Sequence, residues 1–133
     1  MDSGSARPVT VMFVGGNETQ ARYERDIERW IEKTYGSQVR VEWARCGWSS
    51  NWITDAERVE SRLPRVDALV IMKLVRTHLG RHLRRSASAH GVPWIGCTGH
   101  GRAAVQRAIA EAAEVVFNQR RAAHDGPGSG DSG

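Results

Sequence analysis

The chain has little of what marks a secreted or membrane protein. It contains only two cysteines, Cys46 and Cys97, in 133 residues. No segment approaches the roughly 20 consecutive apolar residues that a membrane-spanning helix needs, and the first residues lack the basic and then apolar pattern of a signal segment. These absences predict a cytoplasmic protein without membrane contact, where a reducing environment keeps both thiols free.

The sequence also lacks the common signatures of catalytic and metal sites. It has no C-x-x-C or H-E-x-x-H spacing for a metal and no G-x-S-x-G turn for a nucleophilic serine. His78 and His82 share a helix face at a spacing of four, and Cys46, Cys97 and His100 lie in predicted loops, but this falls short of a recognised ligand pattern. We therefore expect no metal, no cofactor and no catalytic residues.

The length leaves room for one domain, because 133 residues suffice for a single hydrophobic core. Residues 1–8 are mostly small and polar, and residues 122–133 end in a glycine- and serine-rich run that has little apolar surface to bury. We expect both ends to be disordered and one folded domain to occupy residues 9–121.

Between these ends, strand and helix patterns alternate. The periodicity predicts strands at 9–14, 38–44, 66–72 and 93–96, and helices at 17–35, 54–63, 76–90 and from Arg102 onward. Gly36 stops the first helix, and a Thr54–Glu57 capping box begins the second, whose last inward residue is Leu63. Right-handed crossovers between such strands place helices on both faces of a sheet. The predicted fold is a small, doubly wound α/β domain whose mostly parallel four-stranded sheet has the order 2-1-3-4.

The first strand ends in a corner suited to binding an anion. Gly15 and Gly16 let the backbone approach a ligand, and the Asn17–Gln20 capping box begins a helix whose free amides favour negative charge. The corner is an incomplete G-x-G-x-x-G motif, so it names no cofactor. In parallel sheets ligands bind at the carboxyl ends of the strands, which here collects residues 15–19, 45–52, 73–78 and 97–102.

The four segments bring together backbone donors, basic side chains and aromatic rings. Trp48 and Trp52 flank a polar loop and are suited to stacking on a base or, alternatively, to packing in a lid or interface. Glu18 is the only carboxylate in these segments, which disfavours a carboxylate-pair mechanism. The expected ligand-binding residues are Gly15, Gly16, Asn17, Thr19, Trp48, Ser49, Asn51, Trp52, Lys73, Arg76, Thr77, His78, Thr98, His100 and Arg102.

Three functions compete. The preferred one is a non-enzymatic module that binds an anionic small molecule, such as a nucleotide or phosphorylated metabolite, and signals its occupancy to a protein partner. A nucleic-acid-binding or assembly subunit would use the basic third helix, through Arg81, His82, Arg84 and Arg85. A small hydrolase or transferase would use Cys97 with His100. Exposed helix faces on a small open sheet also favour a symmetric homodimer.

Several short motifs resemble one family. The Val14-Gly15-Gly16 corner, the run from Asp67 to Ile71, the Thr77-His78 pair and the segment His90-Gly91-Val92-Pro93 look like a bacterial family of unknown function, the DUF2325-like domains. The resemblance covers about residues 9–116 and implies a small Rossmann-like domain with a role in bacterial regulation or defence. It carries no catalytic residues to this chain, and the loop at 47–52 does not match the family pattern.

Overall fold

The structure, a computed structural model, describes residues 7–15, 24–45, 52–72, 77–99 and 101–130, with side chains omitted at 77 and 124–130. Its strands are β1 (Val9–Val14), β2 (Val39–Ala44), β3 (Ala68–Met72) and β4 (Trp94–Cys97). Its helices are α1 (Glu24–Tyr35), α2 (Trp52–Glu60), α3 (Thr77–Ala89) and α4 (Arg102–Gly130). Short 3-10 turns lie at Gly36–Gln38 and Leu63–Arg65.

The four strands form one parallel sheet in the order β2-β1-β3-β4, which confirms the predicted topology. Every residue of β1 and β3 is buried. These two central strands are nearly continuous in apolar residues because helices cover both of their faces. The edge strands β2 and β4 are only partly buried, as their mixed sequences require.

Helices cover both faces of the sheet in pairs. On one face α1 and α4 meet, with the rings of Tyr35 and Phe117 separated by 6.3 Å between centroids. On the other face α2 packs on α3, where the rings of Trp52 and His82 are 5.8 Å apart. The chain is thus α/β, doubly wound and Rossmann-like, as expected from the alternating pattern.

The second helix differs from its predicted boundaries. The Thr54–Glu57 pair suggested a capping box, but α2 already begins at Trp52, so Thr54 lies inside the helix. The helix ends at Glu60, before Leu63, which was expected to be its last buried residue. Leu63 is nevertheless buried, because a separate 3-10 turn containing Pro64 carries it into the core. A proline fits there since early turn positions need no N–H donor.

Asp67 is the polar residue in the otherwise apolar run at 66–72, which includes β3. Its contacts explain why a carboxylate lies there. Its carboxylate accepts a hydrogen bond from the Thr10 backbone N–H at 2.8 Å and one from Arg7 Nη2 at 3.0 Å. Arg120 of α4 places Nη2 3.6 Å from the same carboxylate and donates through Nη1 to the Arg7 carbonyl at 2.7 Å. Asp67 therefore ties β1, β3 and α4 together at the amino edge of the sheet.

The ends of the helices bear on two other predictions. Gly36, predicted to stop the first helix, follows directly after the last residue of α1. The backbone of α4 continues to Gly130, past the expected domain end at 121, and the disorder expected for residues 1–8 and 122–133 stays a prediction. Among the described helices, none combines the length and apolar character needed to cross a membrane.

Candidate functional site

The candidate site lies at the carboxyl edge of the sheet, where the chain leaves β1 and β3 in opposite directions. From β1 the chain crosses to β2 on one side, whereas β3 leads to β4 on the other. Such a switch point opens a crevice between the two central strands, and parallel α/β sheets bind their ligands there. Each helix begins at this edge as well, which directs backbone N–H groups and positive dipole ends toward it.

Gly15 begins the corner after β1. Its φ is +117°, a backbone conformation that residues with a Cβ rarely adopt, and Gly15 itself is buried. Its N–H donates to the Ala44 carbonyl at 2.9 Å, which extends the β1–β2 ladder by one step. The first strand therefore ends at the position that the sequence predicted, in a conformation that glycine adopts without strain.

A second glycine corner joins β4 to α4. A Cβ added to Gly99 would lie 2.7 Å from the Cβ of Ala104, so the strand passes close to the first turn of the helix. The Gly101 carbonyl accepts the Val105 N–H at 3.1 Å and begins the helical hydrogen-bond pattern. Thr98 is exposed beside this turn. The expected site residues Thr98 and Arg102 thus flank the amino end of α4.

Two acidic residues of α1 reach this edge, although neither was among the predicted site residues. Asp26 Oδ2 lies 3.2 Å from Arg102 Nη1, and Glu24 Oε1 lies 2.5 Å from Arg45 Nη2. Both arginines lie at the carboxyl edge, and each already has an anionic partner there. The sequence shows acidic residues at 24 and 26, but it does not show that they approach Arg45 and Arg102, because those distances depend on how α1 packs.

Trp52 lies at the start of α2 and packs against α3. Its ring is stacked with His78 at 6.0 Å between centroids and meets His82 edge-on at 5.8 Å. The prediction that Trp52 belongs to a loop is therefore wrong, because contacts with both histidines hold it in the first turn of α2. His78 remains exposed at the amino end of α3, on the same edge as Gly15 and Arg102.

The four basic residues of α3 that were assigned to a nucleic-acid surface differ in exposure. Arg81, Arg84 and Arg85 are exposed, whereas His82 is half-buried. His82 instead contacts α2, and the guanidinium carbon of Arg84 lies 5.4 Å from the centre of the Trp94 ring on β4. Of these four residues, His82 and Arg84 thus contact neighbouring elements, although Arg84 stays exposed.

Glu60 at the end of α2 joins the two helices on this face. Its Oε2 lies 2.9 Å from His82 Nε2 and also accepts a hydrogen bond from the Ser86 hydroxyl. The hydrogen bond from Ser86, together with His82, holds the pKa of the Glu60 carboxyl below its ordinary value, against the opposing effect of partial burial. Glu60, His82 and Ser86 thus form a hydrogen-bonded cluster that joins α2 to α3.

Cys97 is the last residue of β4 and is 3 % exposed. Its Sγ donates toward the Gly99 carbonyl at 3.1 Å and the Ala104 carbonyl at 3.8 Å. Burial raises the pKa of the Cys97 thiol, and the Gly99 contact offsets this only in part. The environment therefore favours the protonated thiol, which is a poor nucleophile.

Several predicted site residues lie outside the described part of the chain: Gly16, Asn17, Thr19, Trp48, Ser49, Asn51, Lys73, Arg76 and His100. Thr77 begins α3, but its side chain is not described. The structure brings Gly15, His78, Thr98 and Arg102 to one edge. Within the described ranges, no three histidine, cysteine or acidic side chains are grouped as a metal site requires.

Comparisons with protein-family models and with curated proteins find no match to this chain. The resemblance to DUF2325-like domains therefore stays a prediction.

Proposed function

We propose that this chain is a non-enzymatic Rossmann-like module that binds an anionic small molecule at the carboxyl edge of its sheet. The proposed ligand class is a nucleotide or a phosphorylated metabolite. The observation that carries the proposal is Gly15, which turns the backbone at φ +117° at the carboxyl end of β1, beside the switch point between β1 and β3. A strand, a glycine turn and a following helix are the elements that hold phosphate groups in this fold class.

The other described residues at the carboxyl edge support an anion more than they support catalysis. Arg102 supplies a guanidinium group at the amino end of α4, and such groups bind phosphate or carboxylate through two parallel hydrogen bonds. His78 adds a second nitrogen donor at the start of α3. Lys73 and Arg76, which follow β3 in the sequence, would add charge at this same edge.

The two alternatives have weaker support. On α3, His82 packs against α2 and the exposed Arg84 guanidinium lies over the Trp94 ring of β4, so a nucleic-acid surface would draw mainly on Arg81 and Arg85. A Cys97 nucleophile would need a thiolate in a position where burial favours the thiol. Signalling of occupancy to a protein partner in bacterial regulation or defence remains part of the proposal.

Isothermal titration calorimetry with ATP, pyrophosphate and inorganic phosphate tests the proposal. We expect saturable binding of at least one of these anions, and Arg102→Ala should weaken it about tenfold or more, since a charge-assisted hydrogen bond contributes about 1.5 to 3 kcal/mol. Arg107→Ala is the matched control, because Arg107 is an exposed arginine farther along α4. Equal losses in both variants, or no binding of any anion, would refute the site.

A further inference from the structure

The outer edge of β2 carries unpaired backbone groups among the described residues. β2 ends the sheet and pairs there with β1 alone. The bond from Gly15 N–H to the Ala44 carbonyl shows that the polar groups of Ala44 face β1. Because these groups alternate in direction along a strand, those of Val39, Val41 and Trp43 face away from the sheet. An unpaired edge of this length is a template for another strand.

The sequence of β2 complements itself about Val41. A second copy of β2 could pair with this edge in the antiparallel direction about a two-fold axis. Residues directly opposite each other must then have their side chains on the same face of the sheet. The axis must therefore pass through a residue position and not between two consecutive residues. With the axis at Val41, Arg40 lies opposite Glu42 of the second copy, and this ion pair occurs twice. With the axis at Arg40 or at Glu42, identical charges face each other, which is destabilising.

The backbone directions fit the same register. Val41 would meet Val41 of the second copy, and Val39 would meet Trp43 of the second copy, with outward polar groups facing each other in every one of these pairs. They are therefore the hydrogen-bonded pairs of an antiparallel ladder. The Arg40–Glu42 pairs fall at the intervening positions, where the Cα atoms approach to about 4.5 Å and side chains interact most closely.

The side chains of β2 leave room for this partner. Val39 and Val41 line an open groove of about 380 Å³ together with Pro8 and Ile31. Arg40 is exposed, and the half-buried Glu42 has only a long contact of 3.9 Å to Arg62 Nη1 among its described ion pairs. The opposite edge strand, β4, has the sequence WIGC, which contains no charges that would select a register.

We propose that a second copy of this chain pairs with the outer edge of β2 in the antiparallel direction, centred on Val41, so that the two sheets become continuous. The interface is independent of the anion site, because it uses the edge strand rather than the carboxyl ends of the strands. Arg40 and Glu42 act as its specificity determinants, and the half-buried Val41 and Trp43 supply apolar contacts across the two-fold axis.

Sedimentation equilibrium of the full chain, Arg40→Glu, Glu42→Arg and their equimolar mixture tests this arrangement. The wild type should dimerise at micromolar concentration. Each single variant should dimerise about tenfold or more weakly, since two attractive pairs become repulsive. The mixture should recover the wild-type affinity as a heterodimer. In that heterodimer the two substituted side chains face each other with opposite charges, and the unchanged Arg40 of one variant faces the unchanged Glu42 of the other.

Arg65→Glu is the matched control, since it reverses an exposed charge in the turn before β3. Circular dichroism establishes that each variant is folded. If a charge variant unfolds, Val41→Pro replaces it, because proline at 41 removes an outward N–H and leaves the bonds to β1 intact. A wild type that stays monomeric, as it would if another segment covered β2, overturns the proposal. So does dimerisation that is indifferent to all of these changes.

Discussion

Asp26 on α1 and Arg102 on α4 form an ion pair across the carboxyl edge of the sheet, with 3.2 Å between Oδ2 and Nη1. The arginine lies in the first helical turn, where the positive dipole end disfavours a cation and no acid of the same turn offsets it. Asp26 supplies the missing negative charge from a neighbouring helix. The Asp26 carboxylate would therefore compete with a bound anion for the guanidinium group of Arg102.

Removing this competitor should strengthen anion binding. We expect Asp26→Asn to raise the affinity for pyrophosphate about two- to fivefold, because an exposed ion pair is worth at most about 1 kcal/mol. Calorimetric titration at low and high salt measures the change, and the gain should shrink as salt increases. Glu111→Gln removes an exposed carboxylate elsewhere on α4 and should leave the affinity within error of the wild type. An unchanged affinity in Asp26→Asn would show that the ion pair does not compete.

Gly15 should be intolerant of any side chain. Gly15→Ala forces a residue with a Cβ into a φ of +117°, which costs about 1 to 3 kcal/mol of unfolding free energy. Urea denaturation measures the loss. Gly101→Ala is the matched control at the same edge, since its added Cβ meets no atom within 4 Å. Comparable stability losses in the two variants would mean that the conformation of Gly15 is not the cause.

The cluster of Glu60, His82 and Ser86 should make the unfolding free energy depend on pH in the acidic range. The folded state lowers the pKa of this carboxyl below its ordinary value of 4.5, so its stabilising contribution is present above that pH and is lost as the pH falls through the lower, folded value. We expect the unfolding free energy of Glu60→Gln to fall less than that of the wild type as the pH drops from neutrality through this range. Urea denaturation at a series of pH values gives both curves, and parallel curves would contradict the expectation.

Cys97 should behave as a buried thiol rather than a nucleophile. In a Cys46→Ser background, Cys97 is the only thiol, so Ellman's reagent reports on it alone. At mildly alkaline pH we expect slow reaction in the folded protein and fast, complete reaction in guanidinium chloride, because burial raises the pKa of this group and limits access. Rapid reaction of the folded protein would revive the hydrolase or transferase alternative.

The sequence specified the sheet better than it specified the site. β1 and β3 are apolar throughout, apart from Thr10, so their central positions follow from the pattern alone. The start of α2 does not follow from the sequence pattern. The contacts of Trp52 with His78 and His82 outweigh the local capping signal at Thr54.

The charges at the carboxyl edge were harder still to predict. Basic residues following strands were visible in the sequence, and their convergence on one edge follows from the parallel topology. Their partners were not visible, because Glu24 meets Arg45 and Asp26 meets Arg102 only after α1 has packed beside β2 and α4. Tertiary packing, rather than local spacing, decides whether a cation at this edge already has a counter-charge.

The central claim, an anion site at the carboxyl edge, is tested most directly by where an added ligand changes the amide spectrum. Titration of ¹⁵N-labelled protein with ATP should perturb the amides of Gly15, Thr98, Gly101 and Arg102 saturably, with the amides of Arg81 and Arg85 unchanged. Perturbations confined to Arg81 and Arg85 of α3, or a spectrum that ATP, pyrophosphate and phosphate all leave unaltered, would contradict the account.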